Sequence, residues 1–501
     1  MPIKPTCPQR RGNAGRRSAW PWLAAVATSG RTSHVDTTVS TQTRGRNRQV
    51  LPETTARSAH GAPFRTGRAS YAQAHRFAME DAQPDHPQRT LRTAYRIRGP
   101  LDPERLASAM SAVVARHDAL RMSLHPSEEE LRYRVHNRVE WPLIREKSVT
   151  VAAGAELAPE LVRALDDELL DRFDRSVPPL ASARLWELGS DDWLLSLKID
   201  HMIADVLSVG VIGAELSRAY QGETLPIPGL SFADWIEQQD AYFRGEQARV
   251  DRAYWDATLA GRPNGWNTLL PDFDLSETAG NAPGAVSLAL PTGLGASISA
   301  FRRSNRLTPH MVYLSALVLC LARRTGDPDV CVLSATANRS RDLAELVGWC
   351  AHGLAYRFLA GQAETPAELA RLVRAGCMNV MTHQRYPLLR WRLDNDPGEL
   401  GRRLRLPYVF LHPITEYFTA PAFAGLDTEL VDGTGVEADP CLGFQVRHTT
   451  GDEVTLSLHH GGFGYTRAHA ERLLADFADA LRILTERPDS RLRDLEDWLG
   501  R

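Results

Sequence analysis

His201 closes an apolar run, Trp193 to Ile199, and opens the segment His201-Met202-Ile203-Ala204-Asp205 directly after Asp200. Imidazole is the side chain that changes charge near neutral pH, so it suits proton transfer at a reacting carbonyl. Joining an activated acyl group to an amine or hydroxyl needs a neutral nucleophile held close, a base near pKa 7 and a donor for the developing oxyanion. A histidine just past a strand end projects from a rigid element into a cleft. Asp205, four residues on, can fold back and pair with a basic group elsewhere to fix the turn. His-x-x-x-Asp spacing recurs by chance, so the reading rests on where the pair sits.

Other catalytic signatures are missing. The chain has no Gly-x-x-x-x-Gly-Lys loop, no Gly-x-Gly-x-x-Gly after a strand and no Gly-x-Ser-x-Gly elbow. Asp327 with Asp329, and Asp432 with Asp439, are carboxylates in Pro- and Gly-bearing segments that read as turns, so no metal site is expected. The six cysteines include no Cys-x-x-Cys pair and read as unpaired thiols of a reducing compartment.

The elements around His201 follow from periodicity. Thr90 to Arg98 alternates with Leu91, Thr93, Tyr95 and Ile97 on one face, as a strand does. Asp102-Pro103 starts a helix whose stripe is Leu106, Met110, Val113 and Val114. Helices are expected at 71–79, 157–173, 207–220, 232–259, 295–303, 309–324, 366–385 and 466–486. Strands are expected at 184–188, 193–199, 286–290, 330–336, 408–411, 443–448 and 454–459. Each half carries strands and helices in mixed order, which implies two α/β lobes.

The formal net charge of −2 gives no electrostatic reason to expect nucleic acid. Residues 1–68 carry 12 Lys/Arg against 2 Asp/Glu, a basic tail on an acidic body. Residues 1–65 are rich in Arg, Ser, Thr and Gly without a sustained period, and read as disordered. Arg16-Arg17 before Trp20 to Ala27 has a twin-arginine look, but Pro21 breaks a short apolar stretch. No run is long enough for a bilayer, so a cytoplasmic protein without a membrane partner is expected.

Several segments together resemble the condensation domains of nonribosomal peptide synthetases, in the chloramphenicol-acetyltransferase-like superfamily. Ser70-Tyr71-Ala72-Gln73 resembles their opening Ser-x-Ala-Gln, and Arg116 to Arg121 their Arg-His-x-x-Leu-Arg. Asp200 to Val206 stands in the place of His-His-x-x-x-Asp-Gly. Tyr254-Trp255 with Leu259-Ala260-Gly261 resembles the linker motif, Asn338-Arg339 the Arg-bearing turn, and Val347-Gly348-Trp349 the Ile-Gly-Phe motif. The match runs over about residues 68–498.

The resemblance implies an α/β (α+β) fold of two chloramphenicol-acetyltransferase-like lobes in a V shape with a central tunnel. The implied divisions are 1–67, the basic extension; 68–230, the N-terminal lobe with the motif; and 231–501, a linker helix and the C-terminal lobe. His201 is the implied catalytic residue. Asp205 is implied to pair with Arg339, and Asp200 to be structural at the site. An Asp beside His201 could raise the imidazole pKa. Val206 replaces the motif Gly and, with Ser70 and His352, is placed along the substrate channel. No cofactor is expected; the acyl group would arrive on the phosphopantetheine arm of an acyl or peptidyl carrier protein. No adenylation motif or carrier serine is found, so the carrier is expected in trans and the enzyme free-standing. The expected reaction is amide formation with a small amine. An ester-forming acyltransferase, taking an alcohol and a carrier or coenzyme A thioester, is the alternative. A catalytically silent carrier- or partner-binding module of the same fold is the third reading.

Overall fold

The computed structural model describes residues 65–82, 89–149, 151, 157–261, 284–395, 408–412, 421–423, 425–431, 441–448, 453–460 and 465–494. Asp432, Asp439 and residues 1–64 lie outside the described residues.

The first lobe begins with β1 (Arg65–Arg68), α1 (Tyr71–Ala82), β2 (Thr90–Arg98) and α2 (Pro103–Arg116). β1 falls partly inside the segment assigned to the 1–67 extension, which corrects that boundary. Its residues are polar and mostly exposed, so no apolar pattern marks it. It is held by an antiparallel ladder and by ion pairs from Arg65 to Asp234 and Glu237. Asp102 accepts from Glu104 N and Arg105 N, so α2 starts as its sequence requires, and its apolar stripe is buried.

Next come β3 (Met122–Pro126), β4 (Leu131–Val135), β5 (Leu143–Arg145), α3 (Pro159–Leu170), β6 (Ala181–Gly189), β7 (Asp192–Asp200) and α4 (Val206–Tyr220). β1, β4 and β3 form a small sheet. β2 is buried on both faces over residues 92–97, not on the alternating face alone. A separate apolar cluster of Ala94, Leu161, Leu165, Trp186, Leu188 and Leu194 covers the second face with α3.

Two helices follow, α5 (Phe232–Arg244) and α6 (Glu246–Leu259). A single helix over 232–259 is expected; Gly245 instead takes an extended conformation and ends the first one. The change of core comes within α5, shortly before the break. Phe232, Ala233, Trp235 and Ile236 join the first lobe's core, whereas Tyr242, Ala248 and Trp255 join the second's.

The second lobe contains β8 (Gly284–Ala289), α7 (Leu294–Ser304), α8 (Pro309–Thr325), β9 (Asp329–Thr336), β10 (His352–Leu359), α9 (Pro366–Thr382), α10 (Leu388–Asn395), β11 (Tyr408–Leu411), β12 (Asp427–Leu430), β13 (Cys441–His448), β14 (Val454–His460) and α11 (Arg467–Glu486). Six strands form one sheet in the order β10-β9-β11-β13-β14-β8. α8 is buried continuously from Val312 to Leu321, so it is the helical centre of this core. Thr308, Thr365 and Thr466 cap α8, α9 and α11 by accepting backbone N–H bonds. The mixed α/β architecture expected from the sequence is the one observed.

The lobes are interlocked. β12 crosses over to pair antiparallel with β2, giving the five-stranded sheet β12-β2-β7-β6-β5. The connection between β9 and β10 also enters the first lobe, where Leu343, Leu346, Val347 and Cys350 are part of the core. The division at residue 230/231 therefore separates segments that pack as one.

Candidate active site

β7 ends at Asp200 and α4 starts at Val206; the residues between them form the turn that carries His201. Asp205 caps α4 by accepting from Ser208 N at 3.0 Å. The same carboxylate faces the second lobe. Arg339 Nη1 donates to Asp205 Oδ1 at 2.9 Å, and Cys350 N and Ala351 N donate to Oδ2, each at 3.1 Å. Arg339 and Asp205 side chains are 3 % and 2 % exposed, so the pair is sealed from water. Arg339 Nη2 also donates to the carbonyls of Leu346 and Gly348, and Ser208 Oγ accepts from Gly348 N. Asn338, at φ 48, turns the backbone that delivers Arg339. The Asp205–Arg339 contact thus ties both lobes together beside His201.

This knot presents Trp349 to the turn. The ring centroids of His201 and Trp349 lie 4.5 Å apart with an angle of 55° between planes. His201 Nδ1 is buried and has no hydrogen-bond partner. Its backbone N donates to Arg89 O at 3.0 Å. Burial, reinforced by the positive charges of Arg89 and Arg76, holds the His201 imidazole well below the usual histidine range. The resting ring is neutral and a weaker base than the one near pKa 7 expected from sequence, so it takes a proton only from an amine made acidic by attack on the carbonyl.

Asp200 does not raise the imidazole pKa, contrary to one expectation. Its carboxylate is wholly buried and engaged by Arg175, through Nε to Oδ2 at 2.7 Å and Nη2 to Oδ1 at 3.1 Å. Met202 N also donates to Oδ1 at 2.9 Å. Burial raises the carboxyl pKa of Asp200, against the pull of Arg175.

The sequence profile of the condensation domain matches residues 66–497. The chain belongs to the condensation-domain family. Condensation domains are generally acyl-transferring, joining carrier-bound substrates through amide bonds. This one is similar to tyrocidine synthase 2 of Brevibacillus parabrevis, 28 % identical over 415 residues, which cover 80 % of this chain and 11 % of that protein. It is also similar to surfactin synthase subunit 1 of Bacillus subtilis (strain 168), 27 % identical over 400 residues, covering 78 % and 11 %. The condensation domain thus spans about a ninth of the length of these curated relatives. Among solved structures, the X-domain from teicoplanin biosynthesis superposes with a TM-score of 0.73 at 22 % identity, covering 85 % of this chain and 96 % of that one. The first condensation domain of the calcium-dependent antibiotic synthetase gives 0.68 at 19 % identity, covering 85 % and 98 %.

The remaining residues named from sequence fall in different places. Val206, the first residue of α4, is 36 % exposed beside the turn. Ser70 is 1 % exposed and exchanges bonds with Gln73, so its side chain starts α1; the channel placement of that hydroxyl is corrected. Gln73 Nε2 donates to Met202 O at 2.8 Å, which connects the opening motif to the His201 turn. His352 Nε2 donates to Gln384 O at 2.6 Å and anchors the start of β10 to the end of α9. Burial lowers its pKa to about 4. Sequence reasoning missed Arg175, Glu80 and the ring contact of Trp349. Only the Arg-rich, Pro-ended stretch around Arg175 hinted at a fixed loop.

Among the described residues no group of His, Cys, Asp or Glu is arranged to hold a metal, and no helix is long and apolar enough to cross a membrane. Cys320, Cys350 and Cys377 are buried free thiols, and Cys331 is buried as well.

Two expected outcomes arise here. A Cβ at Gly348 would meet Phe232 Cδ2 at 2.1 Å. Gly348→Ala therefore displaces the Trp349 loop and costs about 1–3 kcal/mol, readable as a lower urea midpoint with an unchanged slope. An unaltered midpoint contradicts that packing. The second outcome concerns acid. Burial, with help from Arg76 and Arg392, lowers the His75 pKa to about 3. A depressed folded-state pKa means that the unfolded chain binds the proton first. Stability is complete above about pH 6.5 and drains as pH falls towards 3, at about 1.4 kcal/mol per pH unit from this residue. Urea melts at pH 7, 6 and 5 should show that decline, and His75→Gln should flatten it. Equal slopes in both proteins would contradict the assignment.

Proposed function

We propose that this condensation domain joins an acyl group, carried as a thioester on the phosphopantetheine arm of a carrier protein, to an amine, forming an amide. One observation carries the reading: a neutral imidazole, His201, stands in a turn clamped from both lobes. In this scheme the amine nitrogen attacks the thioester carbonyl. The C–N bond forms, the C–S bond breaks and the carrier thiol leaves. His201 accepts the amine's proton and returns it to the departing thiolate. Asp205, Arg339 and Asp200 keep the turn in place without touching substrate. Val206 narrows the approach where the family's motif has Gly, which favours a slim acyl group.

Because the imidazole stays neutral, its titration should leave the rate unchanged between pH 8 and 6, once ionisation of the acceptor amine is corrected for. A second reading, a silent partner-binding module, draws on the Trp349 ring against His201. The teicoplanin X-domain is known in a complex with OxyB, and a protein partner of that kind would suit this reading. The test is a panel of amines and alcohols mixed with acyl-loaded carrier and followed by product mass. An amide supports the proposal. An ester moves the ester-forming acyltransferase to the front. Inert acyl-carrier that still binds supports the silent module.

A further inference from the structure

We propose that Arg175 is a positioning residue for His201, acting through the carboxylate of Asp200. The inference rests on reading His201 as the reacting imidazole.

His201 Nδ1 has no hydrogen-bond partner, so no polar contact to that nitrogen sets the ring's direction. The direction is inherited from the turn's own backbone, through polar contact with the backbone of His201 and Ala204, with Trp349 against the ring. That backbone is held on both sides by Asp200. The residue's own N donates to Leu180 O at 2.9 Å, its carbonyl accepts from Ile203 N at 3.1 Å, and its carboxylate accepts from Met202 N at 2.9 Å. A shift of the carboxylate therefore moves the residues before and after His201 together.

Arg175 determines where that carboxylate lies. Its guanidinium meets both carboxylate oxygens in a fork, a planar geometry that a lysine ammonium does not reproduce. Arg175 is itself held on two further sides, and its partner Glu80 is held in turn. Nη1 donates to Glu80 Oε2 at 2.5 Å, its carbonyl accepts from Leu124 N at 2.7 Å, and Glu80 is bonded in turn by Arg76 Nε at 2.6 Å. The side chains of Arg175, Glu80 and Asp200 are 8 %, 5 % and 0 % exposed. The chain Arg76–Glu80–Arg175–Asp200 thus runs from α1 to the His201 turn as a dry, charge-balanced brace. It stands where the family's motif has a first histidine, and it couples the pitch of α1 to the aim of the imidazole.

Arg175→Lys and Asp200→Asn test the brace without removing its bulk. Each is compared with wild type for kcat, for KM of the acyl-carrier, and for the rate at which diethyl pyrocarbonate modifies His201, read by peptide mass. His383, held elsewhere by Asp251, is the internal control. The expected result is a kcat lower by about 10- to 100-fold with KM nearly unchanged. Modification of His201 should rise several-fold, with His383 unaltered. If Arg175→Lys does not fold, Asp200→Asn, which keeps the acceptor for Met202 N, carries the comparison. Wild-type kcat and a wild-type modification rate in a folded variant would overturn the proposal. If the wild type shows no turnover with any acceptor, the amide reading fails, and the modification rates still decide the positioning role.

Discussion

Asp205→Ala lowers stability by about 3–5 kcal/mol, because it strands the buried Arg339 guanidinium and uncaps α4. The carboxylate also accepts Cys350 N and Ala351 N, so the change leaves two further donors unsatisfied in a water-free seam. For domains of this size the loss corresponds to a melting temperature lower by on the order of 5–10 °C. Thermal unfolding followed by circular dichroism is the check. Asp205→Asn should recover part of the loss, since an amide oxygen can still accept from Ser208 N. A melting curve for Asp205→Ala that overlays wild type would show that the seam contributes nothing.

His201→Ala has the opposite signature: normal folding and lost turnover. The side chain contributes its ring to Trp349 and makes no hydrogen bond through Nδ1, so little of the fold depends on it. Removing a positioned general base lowers rates by about 10²–10⁴-fold. The loss should appear in kcat, with carrier binding retained. Equal rates in the variant and the wild type would take His201 out of the reaction. A collapsed fold would show that the imidazole is structural.

Much of this arrangement is legible in sequence, for identifiable reasons. The strands around 90–98 and 193–199 are apolar enough to be read by pattern, and Asp102, Thr308 and Thr466 announce helix starts through their side chains. The position of His201 at the end of β7 follows from those elements. The contact of Asp205 with Arg339 needed the family resemblance, because nothing local connects residues so far apart in the chain. Other features left no local trace. β1 and β12 have polar, half-exposed patterns and exist through their ladders with β4 and β2. The break at Gly245 follows Tyr242, which already packs with α6 in the second core, a handover that periodicity does not show.

Asp200 marks the sharpest difference between pattern and packing. In sequence it is a carboxylate adjacent to an imidazole, and adjacency suggests a raised histidine pKa. In the fold its charge is directed away to Arg175, while Arg89 and Arg76 set the field at His201. A sequence shows neighbours along the chain, whereas electrostatics depends on neighbours in space.

The central claim is that this chain moves an acyl group from a carrier to an amine at His201. The most direct measurement is a single-turnover time course of intact carrier mass, with excess enzyme, acyl-loaded carrier and an amine acceptor, run for wild type and His201→Ala in parallel. Wild type is expected to return the carrier to its free-thiol mass while an amide of matching mass accumulates, and the variant to leave the carrier loaded. Carrier that stays loaded with both proteins, or is unloaded equally by both, would contradict it.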